Sequence, residues 1–177
     1  TNTGTSGGIF GTADDHSTGG IYYNGSDDSL VLAGHNNDER VRITHQGNFL
    51  FKDKDSGHTG GGTYSRTKTV TNSGDSTSSF MRFQLEHGAL AGMIFLTGSN
   101  SGASVAKTYA FVAQYGQTVT TQLLADSGQY SGKNFTFTSS TSSNQHNFMV
   151  QVSGGTQEVN MTVIMGNPNQ NLDYVEL

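Results

Sequence analysis

Residues 159–165, Val-Asn-Met-Thr-Val-Ile-Met, set Val159, Met161, Val163 and Met165 on one side of the chain and Asn160, Thr162 and Ile164 on the other. Alternation of period two marks a strand with one buried face, because successive side chains point to opposite sides of a sheet. The pattern recurs on both sides of this stretch. Met81, Phe83 and Leu85 alternate with Phe80, Arg82 and Gln84, and Phe135 and Phe137 flank Thr136. Further strands are predicted near residues 63–71, 89–97, 105–115, 118–125, 148–152 and 172–177. Turn clusters such as TNSGD, TGSNSG, DSGQYSGKN, SSTSSNQ and SGGTQ separate them, and helical periodicity is hard to find. Residues 63–177 therefore read as an antiparallel β-sandwich head, jelly-roll-like in arrangement, within an all-β chain.

Composition agrees with many short strands joined by tight turns: 24 glycines and a single proline, Pro168, in 177 residues. That length suffices to bury a core without covalent staples. Cysteine is absent, which excludes disulfides, thiolate metal sites and a cysteine nucleophile. A formal charge of −5 with only 13% charged residues offers no basic patch to track a phosphate backbone, so nucleic acid is not an expected partner. No apolar run approaches the length of a membrane span, so membrane insertion is not expected either. The opening TNTGTSGG has neither a basic start nor an apolar signal core, and residues 1–19 read as the extended N-terminal segment of a longer polypeptide.

Residues 20–52 form a different unit, with short strands GIYY, SLVLAG, RVRIT and NFLF and turns at NGSDD, HNNDE and HQGN. So few short strands bury little surface alone. Ile21, Leu30, Leu32, Val41, Ile43, Phe49 and Phe51 nonetheless make a recurrent apolar set, and other copies of the chain are the simplest cover for it. Arg40 and Arg42 alternate with Val41 and Ile43, so the guanidinium groups share a face, with Glu39 and nearby aspartates as natural partners. Solvated, unpaired arginines are the equally weighted alternative. Residues 53–62, glycine-rich and following an alternating-charge run, read as a hinge.

The stretch from Gly19 to Phe51 resembles a module of bacteriophage tail fibres and tailspikes, of the form G-x-I-x-Y, S-D-x-S-L, E-R-x-R-I and G-N. Its elements are met by Gly20, Ile21 and Tyr22 or Tyr23, by Ser26, Asp27, Ser29 and Leu30, by Glu39, Arg40, Arg42 and Ile43, and by Gly47 and Asn48. The resemblance implies a short, intertwined, trimeric β shaft and a place in the extracellular part of a virion. Its implied partners are two further copies, other tail proteins, and a host-surface polysaccharide or outer-membrane receptor. Such proteins often end in a helical, self-cleaving trimerisation chaperone, and no heptad pattern for one occurs here.

Catalytic patterns are sparse. The six histidines at 16, 35, 45, 58, 87 and 146 show no paired metal-binding spacing, so neither metal nor cofactor is expected. Asp14-Asp15 and Asp27-Asp28 lack the spaced ladder of a calcium loop, which favours turn capping. No G-x-S-x-G elbow is present. A paired-carboxylate polysaccharide hydrolase is the sharpest enzymatic alternative, and the scattered acids of residues 63–177 argue against it. Capsid decoration is the leading structural alternative.

A binding head would use loops at one end of the sandwich. DSGQYSGKN offers Tyr130 to stack on a sugar, with Gln129, Lys133 and Asn134 as hydrogen-bonding groups. SSTSSNQHN adds Asn144 and His146. A tyrosine folded back over its own sheet is the blander expectation.

Overall fold

The computed structural model describes residues 4–11, 19–34, 38–52, 59–70, 78–85, 89–100, 103–127, 134–142, 145–153, 157–166 and 172–175. Fourteen strands, and no helix among those residues, make the protein all-β. The first five form a meander: β1 (Thr5–Phe10), β2 (Gly19–Asn24), β3 (Ser29–Ala33), β4 (Glu39–Ile43) and β5 (Phe49–Lys52). The remainder are β6 (Thr59–Val70), β7 (Ser78–Leu85), β8 (Ala89–Asn100), β9 (Ala103–Gln114), β10 (Thr120–Asp126), β11 (Asn134–Ser142), β12 (Gln145–Ser153), β13 (Gln157–Gly166) and β14 (Leu172–Val175).

Ten strands build one antiparallel sheet in the order β1-β2-β3-β4-β5-β6-β13-β8-β9-β10, and four build a second in the order β11-β12-β7-β14. The second sheet lies against β6, β13, β8 and β9 of the first, as expected of a sandwich. The apolar face of β13 (Val159, Met161, Val163, Met165) joins Tyr64, Ile94, Leu96 and Phe111 of its own sheet and Phe80, Met81, Phe83, Phe148, Val150 and Val152 of the other in a single core. Aromatic rings key the sheets together edge to face. Tyr64 meets Phe83 and Phe111 meets Phe148, with ring centres 5.3 and 5.1 Å apart, the geometry favoured by the ring quadrupoles.

Some expectations need correction. Residues 5–10 lie within the N-terminal segment but form a strand, paired along its whole length with β2 from Thr5↔Asn24 to Phe10↔Gly19. Phe80 was expected outward, yet it is fully buried. Met81 pairs with Phe148 and Ser79 with Met149, so Phe80 is the extra residue of a bulge, which breaks the strict alternation. Lys68 extends over its ring, 5.7 Å from the centroid.

Residues 59–62 of the expected hinge belong instead to β6, which pairs with β5 and β13. Gly61 has φ 156°, and a Cβ there would come within 2.5 Å of the Met165 carbonyl oxygen. The glycines let the meander continue directly into the head sheet. Leu50 packs against the head core and ties the two regions together. Residues 53–58 of the expected hinge lie outside the described residues.

Candidate functional site

Register fixes which side chains of the meander share a face, because directly paired residues of an antiparallel sheet point the same way. Ile21 pairs with Leu32, Leu32 with Val41, and Val41 with Phe51. Tyr23 pairs with Leu30, Leu30 with Ile43, and Ile43 with Phe49. All seven residues of the apolar set therefore lie in two adjacent rows on one face. Among the described residues nothing shields that face fully: Ile21, Leu30, Phe49 and Phe51 are 47%, 39%, 45% and 49% exposed.

The rows continue where sequence alone did not follow them. Phe49 pairs with Thr63, Thr63 with Ile164, and Ile164 with Met93. Val112 lies in the neighbouring row, opposite Ala91. Ile164, Met93 and Val112 are all exposed. Ile164 sits at the outward phase of the β13 alternation, and only its alignment with the meander gives it meaning.

The opposite face of the meander carries the polar residues of the Gly19–Phe51 motif. Arg42 is the centre. Its Nε donates to Glu39 Oε1 at 2.8 Å and Nη1 to Ser29 Oγ at 2.9 Å, while ion pairs join the guanidinium to Glu39 and Asp27. Bonding to Glu39 raises its affinity for the proton further above the ordinary arginine value. Asp27 also accepts from Ser29 Oγ at 2.7 Å, and Ser29 and Val31 are buried beneath this clamp. Arg42 is thus paired within its own chain, and Arg40 reaches Asp38 at 3.6 Å.

Turn chemistry accounts for the rest of the motif. Asn24 Oδ1 accepts from the Ser26 amide and hydroxyl at 3.1 and 2.7 Å. Asp28 adopts φ 52° and accepts from the Tyr23 phenol, which raises the Tyr23 pKa above its ordinary value. Gly47 turns at φ 81° into Asn48, which is buried and accepts from the Ser65 amide of β6 at 3.2 Å. Asp27 and Asp28 therefore have structural work as turn and clamp residues. Among the described residues no three His, Cys, Asp or Glu side chains are grouped to hold a metal.

Of the expected receptor residues only Asn134 and His146 fall among the described residues. Gln129, Tyr130, Lys133 and Asn144 lie outside the described residues. Asn134 opens β11, paired with Ser153. His146 corrects an expectation: it is a member of β12 and 1% exposed, facing inward with Phe148 and Val150. SSTSSNQHN is mostly strand, because β11 runs to Ser142 and β12 starts at Gln145. Burial lowers the His146 pKa, Nδ1 meets Thr141 Oγ1 at 3.1 Å, and Nε2 is buried without a partner. An imidazole in that setting is held neutral and serves packing.

No protein-family model matches the chain, nor does any curated protein or solved structure.

Proposed function

We propose that this chain is a non-enzymatic structural component of a bacteriophage tail fibre, a homotrimer whose short β shaft carries a jelly-roll-like head for attachment to the host surface. One observation carries this proposal: all seven apolar residues picked out between Ile21 and Phe51 fall in two rows on a single sheet face, and four of them are exposed among the described residues. A continuous apolar face of that extent marks an association surface. Three-fold closure comes from the resemblance of the motif to fibre shafts, and the Arg42 clamp supports it by consuming the motif's polar groups within the chain and leaving the apolar face to other copies. The pairing of β6 with β13 and of β7 with β12, strands far apart in sequence, supports the jelly-roll-like description of the head.

Host attachment belongs to the head, whose loops vary without disturbing the core. The expected receptor is a surface carbohydrate, and the expected place of action is the virion, outside the cell. Fluorescently labelled protein incubated with a panel of bacterial strains tests this. Binding to a subset of strains, abolished by periodate oxidation of their polysaccharide, is the expected result, and uniform failure to bind any strain would overturn the attachment role.

A further inference from the structure

We propose that the head carries an uncharged-glycan site in a groove across the outer face of the ten-stranded sheet, over β6, β13, β8 and β9. The groove encloses about 520 Å³, within the range of small-molecule sites. This inference rests on the attachment role proposed above and assigns it to a specific surface of the sheet.

Register builds the floor. Thr67 pairs with Asn160, Asn160 with Thr97, and Thr97 with Ala106, a single row across four strands. At about 4.8 Å per strand the row spans roughly 14 Å, long enough for an oligosaccharide. Short side chains at Thr97, Ser104 and Ala106 leave the depression open.

The polar groups are arranged in advance. Asn160 Nδ2 donates to Ser65 Oγ at 3.3 Å and to Thr67 Oγ1 at 2.9 Å. Thr162 Oγ1 donates to Asn160 Oδ1 at 3.1 Å and lies 2.9 Å from Ser65 Oγ. With the Thr162 proton committed to Asn160, Ser65 donates to Thr162, and the ring Asn160–Ser65–Thr162 closes in one direction. Thr67 accepts from Asn160, so its own proton is left to donate into the groove. Ser127 repeats the logic on the far wall: its Oγ accepts from the Ala106 amide at 2.7 Å, which leaves its hydroxyl proton outward.

Glu158, exposed at the rim, adds an acceptor. Outward donors beside an acceptor match sugar hydroxyls, which both give and take hydrogen bonds. Every lining residue is neutral except Glu158, so acidic glycans are disfavoured. The groove lies on the same sheet face as the apolar rows, four residues along β13 from Ile164 and so roughly 13 Å away.

The test is binding of the full chain to an array of uncharged hexose and N-acetylhexosamine oligosaccharides beside sialylated and uronic-acid ones, followed by titration of the best uncharged probe. Thr67→Val removes one outward proton together with the acceptor of the exposed Asn160 bond, at constant shape, and Thr97→Arg fills the groove. Expected are a roughly five- to tenfold loss for Thr67→Val and abolition for Thr97→Arg, with unchanged melting temperature and sedimentation. Unaltered binding in both variants, with loss in Tyr130→Ala, would overturn the groove and leave glycan attachment standing. Cell attachment without any uncharged-glycan binding would overturn the groove alone, and absence of both would overturn it together with the attachment role.

Discussion

The meander β1–β5 and the head β6–β14 use the same alternating pattern, but among the described residues only the head has a second layer. In the head, β13 buries Val159, Met161, Val163 and Met165 against a facing sheet, and these residues are 4% exposed or less. In the meander, Ile21, Leu30, Phe49 and Phe51 alternate just as cleanly and remain open. The difference separates two kinds of information: alternation assigns residues to a face, while the cover for that face comes from elsewhere in the chain or from another chain.

The sharpest break of the comparison is expected in the head. Phe148 packs edge to face against Phe83, Phe111 and Phe137 at 5.1 to 5.5 Å. Phe148→Ala is expected to cost about 3–5 kcal/mol in chemical denaturation. A change below about 1 kcal/mol would mean that the two sheets do not share this core.

Ile43→Asp probes the open face. It is expected to weaken association by roughly 2–3 kcal/mol per copy, because assembly would bury an unpaired charge, while the secondary structure of the single chain is retained. Equal association by the variant in sedimentation would show that the face is not the contact. Arg42→Ala tests the clamp on the other side of the same strands. Its partners are partly exposed, so the expected destabilisation is only about 1–2 kcal/mol, with salt sensitivity reduced in the variant. An unchanged denaturation midpoint would show that Asp27 and Glu39 hold the turns without it.

The smallest effect concerns pH. Burial lowers the His146 pKa in the fold, so the unfolded chain binds the proton more readily. Its contribution is fully present above the unfolded value of about 6.5 and is lost as pH falls through the folded value. The slope is at most about 1.4 kcal/mol per pH unit, and His146→Gln is expected to remove that part of the acid sensitivity seen in denaturation curves. An identical acid profile in the variant would contradict the buried, neutral imidazole.

How far the fold was legible in sequence depended on periodicity. The strand faces of β13 and the seven-residue apolar set could be read because period two survives there unbroken. Phe80 could not be placed, since one bulge residue inverts the phase. Gly61 looked like a hinge because glycine composition is shared by flexible linkers and by strands whose backbones approach closely. His146 looked like a loop residue because its neighbours are serine, asparagine and glutamine. Those residues belong to an edge hairpin whose inward positions are decided by pairing with β7. The groove left no signal at all, because Thr67, Thr97 and Asn160 become a row only when strands distant in sequence align.

The most direct test is the mass of the particle in sedimentation equilibrium at micromolar concentration. Three times the 18.8 kDa chain mass is predicted, converting to smaller species in Ile43→Asp. A stable, well-folded particle of single-chain mass would contradict the account, since the face from Ile21 to Phe51 would then stand open in solution without a partner.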